Sequence, residues 1–243
     1  MVKQSDHDRL YQAIIARIDQ LRSYPGWQEF QTKRIGNVLF YADNQEFGIE
    51  PAQIGDFEFG EPVNSQHAII YSYMGLSLTL ESLKDCEYYF RRYPFQGLPV
   101  THDAHLGYIC EMYFSRFYEF KERSKNTLNL VSAVYPDHKI KIGNFIKLYE
   151  KEFDQELRQR NSVNHRSRFE TIEIDQIFMA EVMATGKKHD NAWRQERRRH
   201  YRNVSAEWAQ RVRDRSSKVD SFLNAIAAFL LEVCDFLPLA TDP

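Results

Sequence analysis

The chain has 243 residues, within reach of one large domain or two small ones, and its 43% hydrophobic and 14% aromatic content is enough for a core and excludes wholesale disorder. Only 10 Gly and 8 Pro exclude a collagen-like or linker-rich chain and argue against a many-turned all-β fold. A formal charge of −2 excludes a generic polycation, so contact with nucleic acid must come from a local patch.

In chain order, residues 6–23 carry Leu10, Ile14, Ile18 and Leu21 at helical spacing, and Pro25-Gly26 ends that helix. Residues 27–62 change character: NVLFYA and Asp56-Phe57-Glu58-Phe59 read as extended, predicting a short irregular or β insert. Residues 38–62 hold six acidic residues and no Lys or Arg, either a solvated acidic face or a segment that covers a basic site. From residue 65 the pattern is helical. One helix spans 65–92, closed by Arg91-Arg92-Tyr93-Pro94. Thr101 is placed to cap the next, which runs to about Val134 and closes before Pro136. Another runs from about Gly143 through Arg160, followed by the polar break NSVNHRSR. A helix near 170–184, a break at Thr185-Gly186-Lys187 and a long final helix over 189–237, kinked near Val204-Ser205, complete the chain. The expected fold is all-α, a single helical domain of five or six helices: an N-terminal helix and insert over 1–62, and a helical core over 65–236.

Cys86, Cys110 and Cys234 are far apart, odd in number and without a CxxC pair, which predicts reduced thiols in an intracellular, cytoplasmic protein. The N-terminal MVKQSDHDRL lacks the apolar stretch of a secretory signal. Residues 221–240 are the most apolar stretch, but Asn224, Glu232 and Asp235 within it predict a buried helix and no membrane partner.

The final helix is chemically uneven. Residues 187–218 hold eleven Lys or Arg against four Asp or Glu, including Arg197-Arg198-Arg199, before the helix turns apolar at Phe222. A basic helix interleaved with Trp193, Tyr201 and Trp208 suits a phosphate backbone, with Arg194, Arg197, Arg198, Arg199 and Arg202 as RNA contacts. The alternative is a surface helix salt-bridged to the acidic first half of the chain.

Two constellations could carry chemistry. Thr101-His102-Asp103-Ala104-His105 sets two His three residues apart at a helix start, and with His67 and Asp137 it could make an HD-type metal phosphohydrolase; helix capping with two surface histidines is the plainer account. HEXXH, CxxC, GxSxG and phosphate-cradling glycine loops are absent. The second constellation is Arg160-Asn161-Ser162-Val163-Asn164-His165. Metal-free RNA cleavage needs a base for the 2′-hydroxyl, an acid for the leaving 5′-oxygen and a cation for the phosphorane; His serves the first two and Arg the last. Asn161 can hold the imidazole or a phosphate oxygen. On an ideal helix Arg160 and His165 lie about 140° apart, whereas Asn161 and His165 share a face. Either the helix breaks there, the Arg side chain curls round, or two copies of the motif meet across a dimer axis. Arg followed by His with four to six residues between occurs three times, counting Arg158/His165 and Arg194/His200, where composition alone predicts roughly two. Context separates Arg160: it ends an amphipathic helix and is followed directly by Asn. The same pattern also suits an ordinary helix C-terminus, with Asn and His capping.

At these residues the chain resembles the HEPN superfamily of helical-bundle domains, whose signature is Arg, a polar residue, three to five further residues, then His. RNSVNH at 160–165 matches that signature, and the preceding helices HLGYICEMYFSRFYEFKERSKNTLNLV (105–131) and NFIKLYEKEFDQELRQR (144–160) are similar in character. The resemblance spans about residues 65–236; the N-terminal helix and the 27–62 insert depart from a minimal domain. Many members are metal-independent endoribonucleases of toxin–antitoxin, abortive-infection and other defence systems. The resemblance therefore implies an RNA substrate, no cofactor, Arg160 and His165 as catalytic pair, Asn161 in support, Arg158 as a further RNA contact, and a homodimer with both motifs in one cleft. An antitoxin or other defence-system protein is the implied partner. The alternative, from a different class, is a non-catalytic helical interaction or regulatory protein of such a system.

Overall fold

A computed structural model of the chain describes residues 4–41, 46, 55–165, 169–185 and 191–238, with Asn164 and His165 described by backbone alone. Among the described residues the fold is all-α, with eight helices and no strand. These are α1 (Asp6–Leu21), α2 (Trp27–Leu39), α3 (Val63–Arg91), α4 (His102–Val134), α5 (Ile142–Glu152), α6 (Asp154–His165), α7 (Ile172–Thr185) and α8 (Asn191–Val233), with a 3₁₀ turn at Pro136–His138. The count exceeds the expected five or six because the insert begins as a helix and the 143–160 segment is two helices. The long last helix runs unbroken through Val204-Ser205. No helix among the described residues is long and apolar enough to cross a membrane.

The chain divides into two compact units. The first comprises Met1–Ile70 and Asn224–Pro243. Ser5 caps α1, its hydroxyl accepting from the Asp8 N–H at 3.1 Å, and the His7 N–H donates to Asn224 Oδ1 at 3.0 Å, so two of the helix's orphan donors are satisfied. Leu10, Ala13, Ile14 and Leu21 form its buried stripe. After it, Gly26 takes a left-handed φ of 79°, which a side chain would strain, and the chain turns into α2.

That helix, which runs to Leu39, overturns the extended reading of NVLFYA over its first three residues. Trp27 is buried, stacked on Phe30 and packed against Phe57 and Phe59 at 5.1 and 4.9 Å between ring centroids. A Glu29–Lys33 ion pair of 2.8 Å staples the exposed face. Phe57 and Phe59 do share a side, as period-two spacing requires, but their backbone joins no ladder; Tyr24 Oη instead accepts from the Gly60 N–H at 2.6 Å. Of the acidic stretch, residues 42–45 and 47–54, with Asp43 and Glu50, lie outside the described residues.

The second unit, Tyr71–Leu223, has an aromatic core. Trp208 of α8 stacks on Phe90 of α3 at 5.3 Å and meets Tyr113 and Phe114 of α4 edge-on at 5.6 and 5.8 Å. Phe153, fully buried against Phe117, Tyr149 and Phe222, marks a break between α5 and α6 that carries no Gly or Pro. The expected single helix is interrupted because Arg215 Nη2 takes the Glu152 carbonyl at 2.6 Å, where the helical ladder would otherwise continue. All three cysteines are buried and unpaired, and burial raises the thiol pKa of Cys86 and Cys234 to about 12.

Candidate functional site

The Arg160 motif occupies the last turns of α6. Asp154 and Glu156 supply the acidic first turn favoured at a helix N-terminus, and Arg158 reaches back one turn to Asp154 at 2.9 Å. Arg158 is thus paired within its own helix and 80% exposed. The Arg160 guanidinium lies over the Tyr118 ring of α4, 4.0 Å from its centroid, and Nη1 donates to Asn161 Oδ1 at 3.2 Å. Arg160 is partly buried by this contact and Asn161 is exposed.

The helix continues to His165, so the break expected after Arg160 falls later. NSVNH contains no Gly or Pro, and nothing in it stops the backbone ladder. With helical backbone throughout, the α-carbons of Arg160 and His165 are about 140° apart around the axis, and those of Asn161 and His165 lie on one face. The His165 side chain lies outside the described part of the structure, as do Asn164's side chain and residues 166–168.

The basic run of α8 divides in two. Its second half is structural: Arg211 and Arg215 bond Glu156, Arg213 bonds Glu87, and Arg215 and Lys218 bond Glu152. In the first half, Arg197 pairs with Glu181 and Arg199 with Glu196, both at 2.7 Å. Arg194, Arg198 and Arg202 are exposed, and no ion pair is formed by Arg198 or Arg202 among the described residues. Of these acidic partners only Glu87 lies in the first half of the chain, contrary to the pairing expected. Tyr201 and Trp208 are buried and offer no stacking platform, because positions 201, 204, 208 and 212 form the helix's core stripe; Trp193 alone of the three is exposed.

Thr101 caps α4 as expected, accepting from the Ala104 N–H at 3.4 Å, but His102 and His105 part ways immediately. Buried His105 donates from Nε2 to the carbonyls of Arg92 and Tyr89 at 3.0 and 3.3 Å, closing the end of α3. His67, in the first unit, packs against Trp27 and Phe59. Among the described residues no group of three or more His, Cys, Asp or Glu could hold a metal ion, so the phosphohydrolase alternative is left without a ligand set there.

His102 instead joins the arginines of α8, a meeting that neither motif announced. Its ring stacks under Tyr93, centroids 3.9 Å apart, and meets Tyr201 edge-on at 5.0 Å. Its Nδ1 lies 3.3 Å from Glu181 Oε2, whose other oxygen holds Arg197. A cavity of about 680 Å³ is bounded by His102, Glu196, Arg198, Arg199, Tyr201 and Arg202. A second, of about 670 Å³, shares His102 and Arg198 and opens toward the loop before α4.

Burial lowers the pKa of His67, His102 and His105 below the ordinary 6.5; at His102 the Arg197 charge adds to this and Glu181 opposes it, and at His105 the two carbonyls oppose it. The unfolded chain takes up these protons as the pH falls through 6.5 and the folded chain only below that. Their contribution to stability is therefore fully present above pH 6.5 and is lost as the pH drops through the folded values. Urea midpoints at about pH 7.5 and about pH 5.5 check this: the lower pH should give the lower midpoint, and His105→Gln should narrow the gap.

Compared with protein-family models, with curated proteins and with solved structures, the chain finds no significant match in any of the three.

Proposed function

We propose that the chain is a metal-independent endoribonuclease of a toxin–antitoxin or phage-defence system, acting as a homodimer on RNA through Arg160, Asn161 and His165. The observation that carries this reading is the setting of Arg160. Its guanidinium is held by Tyr118 and Asn161 near a helix end, five residues before a histidine. A guanidinium held in this way is preorganised for a phosphorane.

In the reaction, a His165 imidazole takes the 2′-hydroxyl proton. The 2′-oxygen attacks the adjacent phosphorus, the P–O5′ bond breaks, and an imidazolium returns a proton to the leaving 5′-oxygen. Arg160 neutralises the charge on the non-bridging oxygens, and the products are a 2′,3′-cyclic phosphate and a 5′-hydroxyl. Two observations support a dimer. The angular offset of Arg160 and His165 on one continuous helix suits a site completed by a second copy. In addition, α7 is apolar on two sides: Ile174, Ile177, Ala180 and Ala184 are buried, while Phe178, Met179, Val182 and Met183 form an exposed stripe at i, i+1, i+4 and i+5.

Incubation of the purified protein with RNA in EDTA tests the reading. Cleavage with 2′,3′-cyclic phosphate ends is the expected result. No cleavage, or cleavage only after a divalent ion is restored, overturns it. A silent protein that binds another chain through the α7 stripe would then be the interaction or regulatory protein of the alternative reading.

A further inference from the structure

We propose that the cavity between the start of α4 and the first half of α8 binds a phosphomonoester, the terminal phosphate of a free mononucleotide or of an RNA end. The site is separate from Arg160: His102 and Tyr118 are about 24 Å apart along the α4 axis, from 1.5 Å of rise per residue. The inference holds whether or not Arg160 and His165 cleave RNA.

Three features of the cavity carry it. The first is charge. The lining has three guanidinium groups, on Arg198, Arg199 and Arg202, against the single carboxylate of Glu196, a net +2 with His102 neutral. A phosphomonoester at neutral pH carries close to two negative charges, a backbone phosphodiester one. The second is availability. Arg211, Arg213, Arg215 and Lys218 of the same helix are committed to glutamates, and Arg197 is held by Glu181. Arg198 and Arg202 have no acidic partner among the described residues, sit one turn apart on α8, and face the same cavity. Guanidinium forks left without carboxylates are the groups that bind phosphate oxygens two at a time. The third is a positioned imidazole. Tyr93 stacks on the His102 ring and the Glu181 carboxylate accepts from Nδ1, so the ring is a fixed wall of the cavity before any ligand arrives, and its Nε2 donates to a phosphate oxygen once a bound dianion has drawn a proton onto it. At about 680 Å³ there is room for a nucleotide-sized ligand.

The test uses the full chain with four probes: AMP, adenosine, and a 2′-O-methylated oligonucleotide with either a 5′-phosphate or a 5′-hydroxyl, which cannot be cleaved through a 2′-hydroxyl. Calorimetry reads the small probes and fluorescence anisotropy the oligonucleotides. The phosphate is expected to strengthen binding about tenfold or more in at least one pair, and the pair that responds identifies the source. In Arg198→Gln/Arg202→Gln that gain should disappear; both side chains are exposed, so circular dichroism should match wild type. Equal binding within both pairs overturns the proposal, including the case in which both oligonucleotides bind well and the double variant weakens them alike, which would mark a surface for backbone phosphodiesters. A phosphate-dependent gain that survives in the double variant overturns it too.

Discussion

Replacing His165 with alanine is expected to lower RNA cleavage by about 10²–10⁴-fold, the usual contribution of a positioned general acid or base, with helix content and thermal midpoint unchanged. The fold should tolerate the change because His165 is the final residue of α6, and the contacts anchoring that helix, from Glu156 to Arg211 and Arg215, lie two turns earlier. Arg160→Ala should fall as steeply for a different reason, the loss of the cation that meets the phosphorane. Mixing the two dead variants separates a shared site from a self-contained one. If each site takes Arg160 from one protomer and His165 from the other, a mixed dimer regains one complete site, and an equimolar mixture recovers about a quarter of wild-type activity. A self-contained site recovers nothing. Wild-type rates in His165→Ala would remove the catalytic assignment altogether.

The second large effect is on stability. Glu156→Ala is expected to destabilise the Tyr71–Leu223 unit by about 3 kcal/mol, read from urea or thermal denaturation. The Glu156 side chain is 1% exposed, with Oε1 3.3 Å from Arg211 Nη2 and Oε2 2.8 Å from Arg215 Nη2. Arg215 also holds the Glu152 carbonyl at the α5–α6 break and lies over the Phe153 ring, 4.7 Å from its centroid. Removing the carboxylate leaves two arginines without their shared anion in a nearly dry place and loosens the break that aims α6 at Tyr118. The partial exposure of Arg211 and Arg215, 30% and 19%, keeps the loss at the lower end of what a broken buried pair costs. Glu156→Gln keeps an acceptor for one guanidinium and should lose roughly half as much. A change below about 0.5 kcal/mol in both variants would mean that the network is incidental to the fold.

The pattern of what was legible follows the range of the forces involved. The start of α4 at Thr101 and its end before Pro136 could be read from residues because a cap is decided within a few positions of itself. The all-α class and the extents of α1, α3 and α7 follow the same way, from apolar spacing that repeats along the chain. The segment NVLFYA was misread because Asn37 to Tyr41 carries aromatic and β-branched residues that suit a strand, while the helix it ends depends on Trp27 finding Phe57 and Phe59 farther along the chain. The α5–α6 break has no local sign at all; it is made by Arg215, far along the chain.

The candidate sites divide in the same way. RNSVNH is contiguous, so its residues and their angular spacing on a helix are determined by the sequence alone. That Arg160 rests on Tyr118, that Arg211 and Arg215 are spent on Glu156 while Arg198 and Arg202 are not, and that His102 meets those arginines beside Glu181 were decided only by tertiary structure. Helical periodicity states which face of a helix a charge occupies. Which carboxylate that face meets depends on how the helices pack, and with 32 basic and 34 acidic residues in the chain, composition leaves that choice open.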